Sequence, residues 1–223
     1  MKLGRPRLHL RETTSTNDRA RELAIAGVPH GTLVTAGAQT AGRGRQGRTW
    51  IAPPGSALLL SLVLRELDPL LSLRAGLAVA DVAGPAARVK WPNDVLVEGR
   101  KVAGVLAEGR PQEGWAVLGI GVNVAVEPGE LVAGAGTLGR DRSQLEAALG
   151  ELLQALEHRL AEPADACLAA LRDRDALLGQ PLSWAGGRGA GAGIDERGAL
   201  RVHLEGGGEA LLHAGEVHLG RAS

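Results

Sequence analysis

The stretch that most limits the possible folds is the apolar run Ala57–Leu64, which contains one hydroxyl, at Ser61. The run is too short to span a membrane, so it predicts a buried β-strand. Phe and Tyr are both absent from the 223 residues, and hydrophobic residues make up 44% of the chain. Leu, Val and Ala must therefore fill a core that is large enough for one substantial domain and a small one.

Charge, cysteine content and the N-terminus limit the compartment and the partners. The net charge is +0, which argues against a broad DNA-binding face. The single cysteine, Cys167, excludes an intramolecular disulfide, fits a reducing compartment and lies in a Leu/Ala-rich helical pattern that is typical of the core. The N-terminus lacks the apolar segment of a signal peptide. We therefore expect a cytoplasmic protein that binds neither membranes nor specific DNA.

Short strands and helices alternate along the first part of the chain. Besides Ala57–Leu64, the patterns predict strands at Leu8–Arg11, Thr32–Ala36, Val95–Val97, Lys101–Glu108 and Trp115–Val124. They predict helices that end at Ala26, cover Leu71–Val82, follow Ser143 and cover Ala164–Leu178. Ser143 and Glu146 are spaced as a capping box for the third of these helices, which Pro163 ends. Its predicted apolar face is Leu145, Leu149, Leu152, Leu156 and Leu160.

From Gly179 onward the composition changes to short apolar runs between glycine-rich turns. The runs are Pro181–Trp184, Leu200–Leu204, Ala210–His213 and Val217–Leu219. This pattern predicts a small closed β-barrel as a separate terminal domain. We thus expect two domains, residues 1–178 and residues 179–223.

A loop rich in glycine and arginine, Gln39–Trp50, carries the clearest chemical signal. Glycine lets the backbone bend closely around a ligand, and arginine offers planar cationic groups that fit phosphate or carboxylate oxygens. The loop therefore predicts an anion-binding site.

Other interpretations of this loop are weaker. Gly42, Gly44 and Gly47 match the dinucleotide-binding fingerprint, but Pro53-Pro54 follows too soon for the helix that the fingerprint needs. Arg/Gly segments that bind nucleic acid loosely normally repeat within a basic chain, and this segment occurs once in a neutral one. A phosphate-binding Gly-Lys-Ser/Thr motif is absent from the sequence.

Ser15-Thr16-Asn17-Asp18 precedes the first predicted helix. Ser15 and Asp18 are spaced as a capping box, so these residues either cap the helix or present hydroxyl and amide groups to a ligand. From the chemistry of the segment alone, capping is the better explanation.

Two further features are open to a structural and a functional explanation. Lys90-Trp91-Pro92-Asn93-Asp94 predicts a turn between strands, since Asn and Asp favour turns. Gly119 and Gly121 share one face of a predicted strand, with Gly104 in the neighbouring strand. Glycine weakens a strand, so either a flat ligand lies on the sheet or a helix packs closely against it.

Together these residues resemble the biotin protein ligases. The resemblance rests on five segments in the order seen in that family: Ser15–Asn17, Gln39–Arg48, Lys90–Asp94, Lys101–Gly104 and Gly119–Asn123. It covers essentially the whole chain. Since no winged helix precedes the first strand in this sequence, the chain resembles the monofunctional members rather than those that also repress transcription.

The resemblance implies a fold and a reaction. The fold is a mixed α/β (α+β) domain, a β-sheet flanked by helices and related to class II aminoacyl-tRNA synthetases, followed by an SH3-like barrel. The reaction activates biotin with Mg-ATP to biotinyl-5′-AMP and pyrophosphate, then transfers biotin to one lysine of a biotin carboxyl carrier domain, as in acetyl-CoA carboxylase. The enzyme is expected to be a monomer or a homodimer.

The resemblance also implies roles for single residues. Those expected to bind biotin are Ser15, Thr16, Asn17, Gln39, Gly42, Arg43, Gly44, Lys101, Gly104, Gly119 and Gly121. Those expected on the nucleotide side are Arg45, Arg48, Trp50 (against the adenine), Lys90, Asn93 and Asn123, with Asp94 toward Mg²⁺. Lys101, Arg45 and Arg43 are the expected catalytic residues.

Two rival functions remain open at this point. Lipoate ligases and octanoyltransferases share the fold, although their arginine-glycine motif differs. A non-catalytic biotin-binding module would need the same ring-binding residues without the adenylation chemistry.

Overall fold

A seven-stranded mixed sheet forms the centre of the molecule in the computed structural model, which describes residues 2–220. Its strands are β1 (Arg7–Leu10), β2 (Thr32–Ala36), β3 (Ala57–Leu64), β4 (Ala87–Lys90), β5 (Asp94–Val97), β6 (Arg100–Arg110) and β7 (Trp115–Asn123). The spatial order is β1-β2-β3-β7-β6-β5-β4. β1 pairs with β2 in parallel, and the other neighbours pair antiparallel. The strands predicted in this part of the chain are thus confirmed, with small shifts at their ends.

Four α-helices flank this sheet: α1 (Thr16–Ile25), α2 (Leu71–Ala83), α3 (Leu145–Ala161) and α4 (Ala164–Asp173). α1 packs on β2, β3 and β7, whereas α2 packs on β4 to β7 and against α3. Strand β3 shows why both faces must be apolar. Leu60 and Leu62 belong to the main core with α2 and α3, whereas Val63 packs with Ala20 and Ala24 of α1.

Residues after Gly179 form a second sheet of five antiparallel strands. These are β8 (Pro181–Trp184), β9 (Gly187–Ile194), β10 (Leu200–Leu204), β11 (Glu209–Leu212) and β12 (His218–Leu219). The order β11-β10-β9-β8-β12 leaves β11 and β12 as edges, so the closed barrel predicted from the sequence is not found in the described residues. Strand β9 was not predicted because its glycines resemble a turn. Gly189 and Gly191 instead lie so close to the backbones of His203 and Leu177 that a Cβ would overlap them.

Two predictions about helix ends need correction, and the prediction that Cys167 lies in the core is confirmed. The capping box before α3 is formed by Asp141 and Gln144, not by Ser143 and Glu146. Helix α4 ends at Asp173 rather than Leu178, because the chain turns to pair with the edge strand β4: Val89 N–H donates to Arg174 O at 2.8 Å, and Ala176 N–H donates to Val89 O at 3.0 Å. Cys167 is fully buried in α4, and burial raises the pKa of its thiol, as expected for a core residue.

The two sheets share one apolar core. Leu182, Leu200 and Val202 of the second sheet belong to the same buried cluster as the leucines of β3. The buried indole of Trp91 donates from Nε1 to Gly198 O at 3.0 Å, which joins the β4–β5 turn to the second sheet. Within residues 2–220, none of the helices has the length and apolar character needed to cross a membrane.

Candidate active site

A cavity of about 460 Å³ opens on the sheet face that carries α1. Its floor comes from β6 and β7, and its sides come from the first turn of α1, the glycine-arginine loop and residues 132–135. The structure brings most of the residues singled out in the sequence to this one place. They are Ser15, Thr16, Asn17, Gln39, Arg43, Gly44, Arg45, Arg48, Trp50, Asn93, Lys101, Gly104, Gly119, Gly121 and Asn123.

Three of the residues singled out lie outside the cavity lining. Gly42 is not part of the lining, and a Cβ there would overlap the carbonyl oxygen of Trp50 and lie 2.8 Å from Gln39 Nε2. Lys90 and Asp94 face an adjoining hollow instead. That hollow is also lined by Arg45, Arg48, Asn93, Gly215 and Glu216.

The end of the cavity formed by Ser15, Thr16, Asn17 and Gln39 is here called the α1 end. Ser15 is the residue before the helix, but its side chain makes no capping hydrogen bond. Gln39 Oε1 takes over that role, since it accepts from Thr16 N–H at 2.7 Å. The prediction that this segment is only a helix cap is therefore wrong: the hydroxyl and amide groups line the cavity.

Two residues that sequence reasoning missed stand behind this end. Ser61 is fully buried in β3, with its Oγ 2.8 Å from Thr16 Oγ1 and 2.6 Å from Asn17 Oδ1. Glu108 of β6 accepts from Asn17 Nδ2 at 2.9 Å. The one sequence signal was the lone hydroxyl at position 61 inside an otherwise apolar strand.

Side chains of the protein occupy the space above the strand glycines. A Cβ at Gly119 would overlap Asn17 Oδ1, and a Cβ at Gly121 would lie 2.5 Å from Trp50 Cε2. Gly104, which pairs with Gly121 across β6 and β7, lies against the same indole. The contact at Gly119 is thus close packing of a helix residue. The other two glycines make room for Trp50, which lies flat on the sheet where a ligand was expected.

The glycine-arginine loop folds back on itself. Arg43 and Thr49 form an antiparallel bridge, and Gly44 N–H donates to Arg48 O at 2.7 Å. At its tip Gln46 and Gly47 adopt φ values of 54° and 75°, which explains why glycine is needed there. The turn aims the three arginines in different directions.

Carboxylates and carbonyls already hold each of these arginines. Arg43 lies 2.8 Å from Asp18 Oδ1 and 2.9 Å from Glu108 Oε1. Arg45 donates to Asn93 Oδ1 at 3.0 Å and to Gly215 O at 3.2 Å, and burial lowers the pKa of its guanidinium.

The third arginine reaches the second sheet. Arg48 lies 2.6 Å from Glu216 Oε1. The loop is therefore tied to the segment that precedes β12.

Arg45, Arg48 and Lys101 form what is here called the basic end of the cavity. Lys101 Nζ lies 2.7 Å from Asp94 Oδ1 and 5.8 Å from the centroid of the Trp50 ring. In the adjoining hollow, burial lowers the pKa of Lys90, an effect that Asp94 opposes and Lys101 reinforces. Cations around a partly enclosed cavity suit a ligand that carries or develops negative charge.

Comparisons with known proteins agree with this geometry. The family model described as Biotin/lipoate A/B protein ligase family matches residues 10–124. The biotin–[acetyl-CoA-carboxylase] ligase of Mycobacterium tuberculosis is 36% identical, over 92% of this chain and 86% of its own length. The chain belongs to the biotin/lipoate protein ligase family. A second relative, from Paracoccus denitrificans, is 37% identical over 95% of this chain and 99% of its own length, and it too is named a biotin–[acetyl-CoA-carboxylase] ligase.

Two other proteins extend the comparison. The biotin protein ligase from Aquifex aeolicus in complex with biotin and ATP superposes with a TM-score of 0.81 at 28% identity, covering 98% of this chain and 100% of that one. The bifunctional ligase/repressor BirA of Bacillus subtilis is 40% identical over 52% of this chain. That match spans only 40% of the length of the Bacillus protein.

Proposed function

We propose that this protein is a biotin protein ligase. It joins biotin to AMP at the expense of ATP, releases pyrophosphate, and passes the biotinyl group to one lysine of a biotin carboxyl carrier domain, such as that of acetyl-CoA carboxylase. The observation that carries the proposal is a single cavity with a neutral hydrogen-bonding end and a basic end. The fold around it matches, over 98% of this chain, that of a biotin protein ligase solved with biotin and ATP.

The two ends of the cavity divide the work of binding. Ser15, Thr16 and Gln39 offer hydroxyl and amide groups suited to the ureido ring of biotin, and Gly44 belongs to the same lining. Lys101 and Arg45 offer cations suited to the carboxylate and the α-phosphate. Asn93, Asn123 and Trp50 lie on the nucleotide side in this assignment.

The first step needs charge stabilisation rather than an enzyme nucleophile. A carboxylate oxygen of biotin attacks the α-phosphorus of ATP, an O–P bond forms, and the bond to pyrophosphate breaks. Negative charge builds up on the phosphoryl oxygens, and each well-placed cation or N–H group contributes about 2–4 kcal/mol in a dry site. Arg45 and Lys101 are placed for this role, with Arg43 and Arg48 beside them.

The second step transfers the acyl group. The neutral amine of the carrier lysine attacks the activated carbonyl carbon, an amide bond forms, and AMP leaves with the electrons of the mixed anhydride bond. The substrate amine loses one proton in this step. A closed glycine-arginine loop would keep water from the anhydride until the carrier arrives.

Mg²⁺ fits the residues of the hollow only as an ion shared with ATP. Among residues 2–220, no cluster of three or more His, Cys, Asp or Glu side chains could hold a metal ion. Asp94 supplies one carboxylate, and Mg²⁺ commonly takes one or two carboxylates and fills its remaining sites with phosphate oxygens and water. When bound, the ion would neutralise charge on the phosphates.

The assignment extends to the organisation of the chain. The proposed domains are residues 1–178, to which the biotin and ATP site is assigned, and residues 179–223, whose Gly215 and Glu216 contact the loop. Kinship of the first part with class II aminoacyl-tRNA synthetases, and of the second with SH3-like folds, belongs to the same proposal. So do a cytoplasmic location, a monomeric or homodimeric state and the lack of specific DNA binding, which the neutral charge supports.

Biotin-dependent exchange of labelled pyrophosphate into ATP tests the function directly. We expect exchange with biotin, none with lipoate, and transfer of label to a carrier domain that contains its acceptor lysine. Exchange that lipoate supports and biotin does not would assign the chain to the lipoate ligases. Biotin binding without any exchange would leave a binding module.

A further inference from the structure

The amide of Asn17 has only one possible orientation. One of its terminal atoms lies 2.9 Å from Glu108 Oε2 and 3.4 Å from Leu106 O. A carboxylate and a backbone carbonyl can only accept hydrogen bonds, so the atom that faces them must be the amino group Nδ2. Asn17 Oδ1 therefore points at Ser61 as an acceptor, 2.6 Å from its Oγ.

This orientation fixes the protons of the two hydroxyls next to it. Ser61 Oγ carries a single proton, and Asn17 Oδ1 needs it. Thr16 Oγ1, 2.8 Å from Ser61 Oγ and 3.0 Å from Gln39 Oε1, must then give its own proton to one of these two oxygens. With either partner, the proton of Thr16 stays inside the protein, and Thr16 can only accept a hydrogen bond from a ligand.

Gln39 is oriented the opposite way. Its Oε1 faces the backbone N–H of Thr16 at 2.7 Å, so that atom is the acceptor and Nε2 points away. Nε2 lies beside Gly42, and among the described residues no hydrogen bond engages it. The α1 end therefore presents an acceptor at Thr16 and a donor at Gln39.

We propose that Glu108 and Ser61 are positioning residues that set this donor–acceptor pattern and thereby make the cavity selective for a cyclic urea. A cyclic urea offers N–H groups beside a C=O group, which complements Thr16 and Gln39. A dithiolane ring offers neither. The inference rests on the proposed function and goes beyond it, since neither Glu108 nor Ser61 lines the cavity and both act through Asn17 and Thr16.

The chain offers a matched control for each residue. Asp18 and Glu108 both pair with Arg21 and Arg43, at 2.8–3.3 Å, but of the two only Glu108 contacts Asn17. Comparing Asp18→Asn with Glu108→Gln thus separates the ion pairs from the orientation of the amide, because glutamine can donate and lets Asn17 turn over. Ser56 is as fully buried as Ser61, and its Oγ donates to Pro53 O at 2.7 Å. Ser56→Ala therefore controls for the loss of a buried hydroxyl elsewhere.

The test measures KM for biotin, KM for ATP and kcat in pyrophosphate exchange, together with the melting temperature. We expect Ser61→Ala and Glu108→Gln to raise KM for biotin about tenfold, since each leaves a polar group at the ring wrongly paired. KM for ATP and kcat should change less than twofold, and Ser56→Ala and Asp18→Asn should change KM for biotin less than twofold. Wild type should discriminate against biotin methylated at a ureido nitrogen more strongly than Ser61→Ala does.

Several outcomes would overturn the positioning role proposed for Glu108 and Ser61. They are an unchanged KM for biotin in folded Ser61→Ala and Glu108→Gln, a parallel rise of both KM values, or an equal effect of Asp18→Asn. Calorimetric titration with biotin alone measures affinity without any exchange reaction. It therefore tests the positioning role of Glu108 and Ser61 separately from the enzymatic function. If wild type lacks pyrophosphate exchange, the ligase assignment is refuted. If wild type, Ser61→Ala and Glu108→Gln bind biotin with equal affinity, the positioning role is refuted.

Discussion

The two ends of the cavity differ in how their side chains are held. At the α1 end, Thr16, Asn17 and Ser61 are buried and hold one another through hydrogen bonds of 2.6–2.8 Å. At the basic end, Arg48 is 49% exposed and is held by Glu216. A buried hydrogen-bonded group is costly to leave unpaired, whereas an exposed ion pair contributes only about 0–1 kcal/mol. In the proposed enzyme, the ring would thus meet side chains held by one another, and the phosphates would meet charges that can change partners.

Lys101→Ala, at the basic end, should lower the rate of pyrophosphate exchange more than any of the variants described below. In the proposed mechanism Lys101, which pairs with Asp94 in the structure, stabilises charge on the phosphate. Its loss should therefore cost about 3 kcal/mol of barrier, on the order of a hundredfold in exchange rate. The variant should stay folded, with at most a modest fall in melting temperature, because Asn93 Nδ2 still donates to the buried carboxylate of Asp94 and Lys90 still attracts it. Arg100→Ala, at the exposed neighbouring position, is the control. Near-normal exchange in folded Lys101→Ala would remove this residue from the chemistry.

Arg45→Gly should have the next largest effect, on retention rather than on formation of the adenylate. Arg45 ties the loop to Asn93 and Gly215, so its removal should weaken adenylate binding about tenfold and let the intermediate escape. Escaped adenylate would acylate lysines of a bystander protein that lacks the carrier fold. Equal, negligible bystander labelling by wild type and variant would show that the loop does not guard the intermediate.

Glu216→Gln should have a smaller effect that depends on salt. Without its pair with Arg48 the loop loses one of its ties to the second sheet, and the looser loop should raise KM for ATP by up to about fivefold at low ionic strength. The difference should shrink as salt screens the pair in wild type. Glu209→Gln, which breaks the exposed pair with Arg201 on the second sheet, should leave KM unchanged. If both variants behave alike, the link between the loop and the second sheet has no role in binding ATP.

Lys90→Met should give the smallest effect, and it should act on stability. Burial lowers the pKa of Lys90 in the folded chain. Between this lowered pKa and the usual pKa of lysine, the unfolded chain binds more protons than the folded one. The stability of wild type therefore rises with pH in that range. Removing the charge should raise the melting temperature at pH 7 by about 1–2 °C, and the gain should vanish toward high pH. A melting temperature that falls at pH 7 would show that the attraction to Asp94 outweighs burial.

Local patterns predicted most of the fold because most of it is locally specified. Thr32–Ala36 and Ala57–Leu64 were predicted to the residue. Glycine lies on both sides of the first strand, and Pro53-Pro54-Gly55 precedes the apolar second strand, so the local sequence leaves few alternatives. Strand β9 was missed because glycine was interpreted as turn chemistry, although its close contacts with other backbones are tertiary. The end of α4 was missed for the same reason: its pairing partner, Val89, lies in another element.

Residues of the candidate site that belong to a local sequence motif could be predicted. Residues that reach the site through partners far away in the sequence could not. The glycine-arginine loop was predicted from its own composition, and Lys101 from the resemblance to the biotin protein ligases; both line the cavity. Ser61 and Glu108 could not be predicted, because their bonds to Asn17 span 44 and 91 positions in the sequence. The cap at Ser15 was misjudged because Gln39, 23 positions from Thr16, satisfies the helix amide instead.

The contacts between the loop and residues 215–216 also set an order of events during synthesis. A chain that leaves the ribosome from its N-terminus completes the seven-stranded sheet well before Gly215 and Glu216 appear. Until then, Arg45 lacks the carbonyl that lies 170 positions ahead, and Arg48 lacks its carboxylate. A nascent chain can therefore form the α1 end of the cavity early but gains the full set of loop contacts late. If the proposed function holds, the intermediate would be fully guarded only after residues 215–216 have been translated.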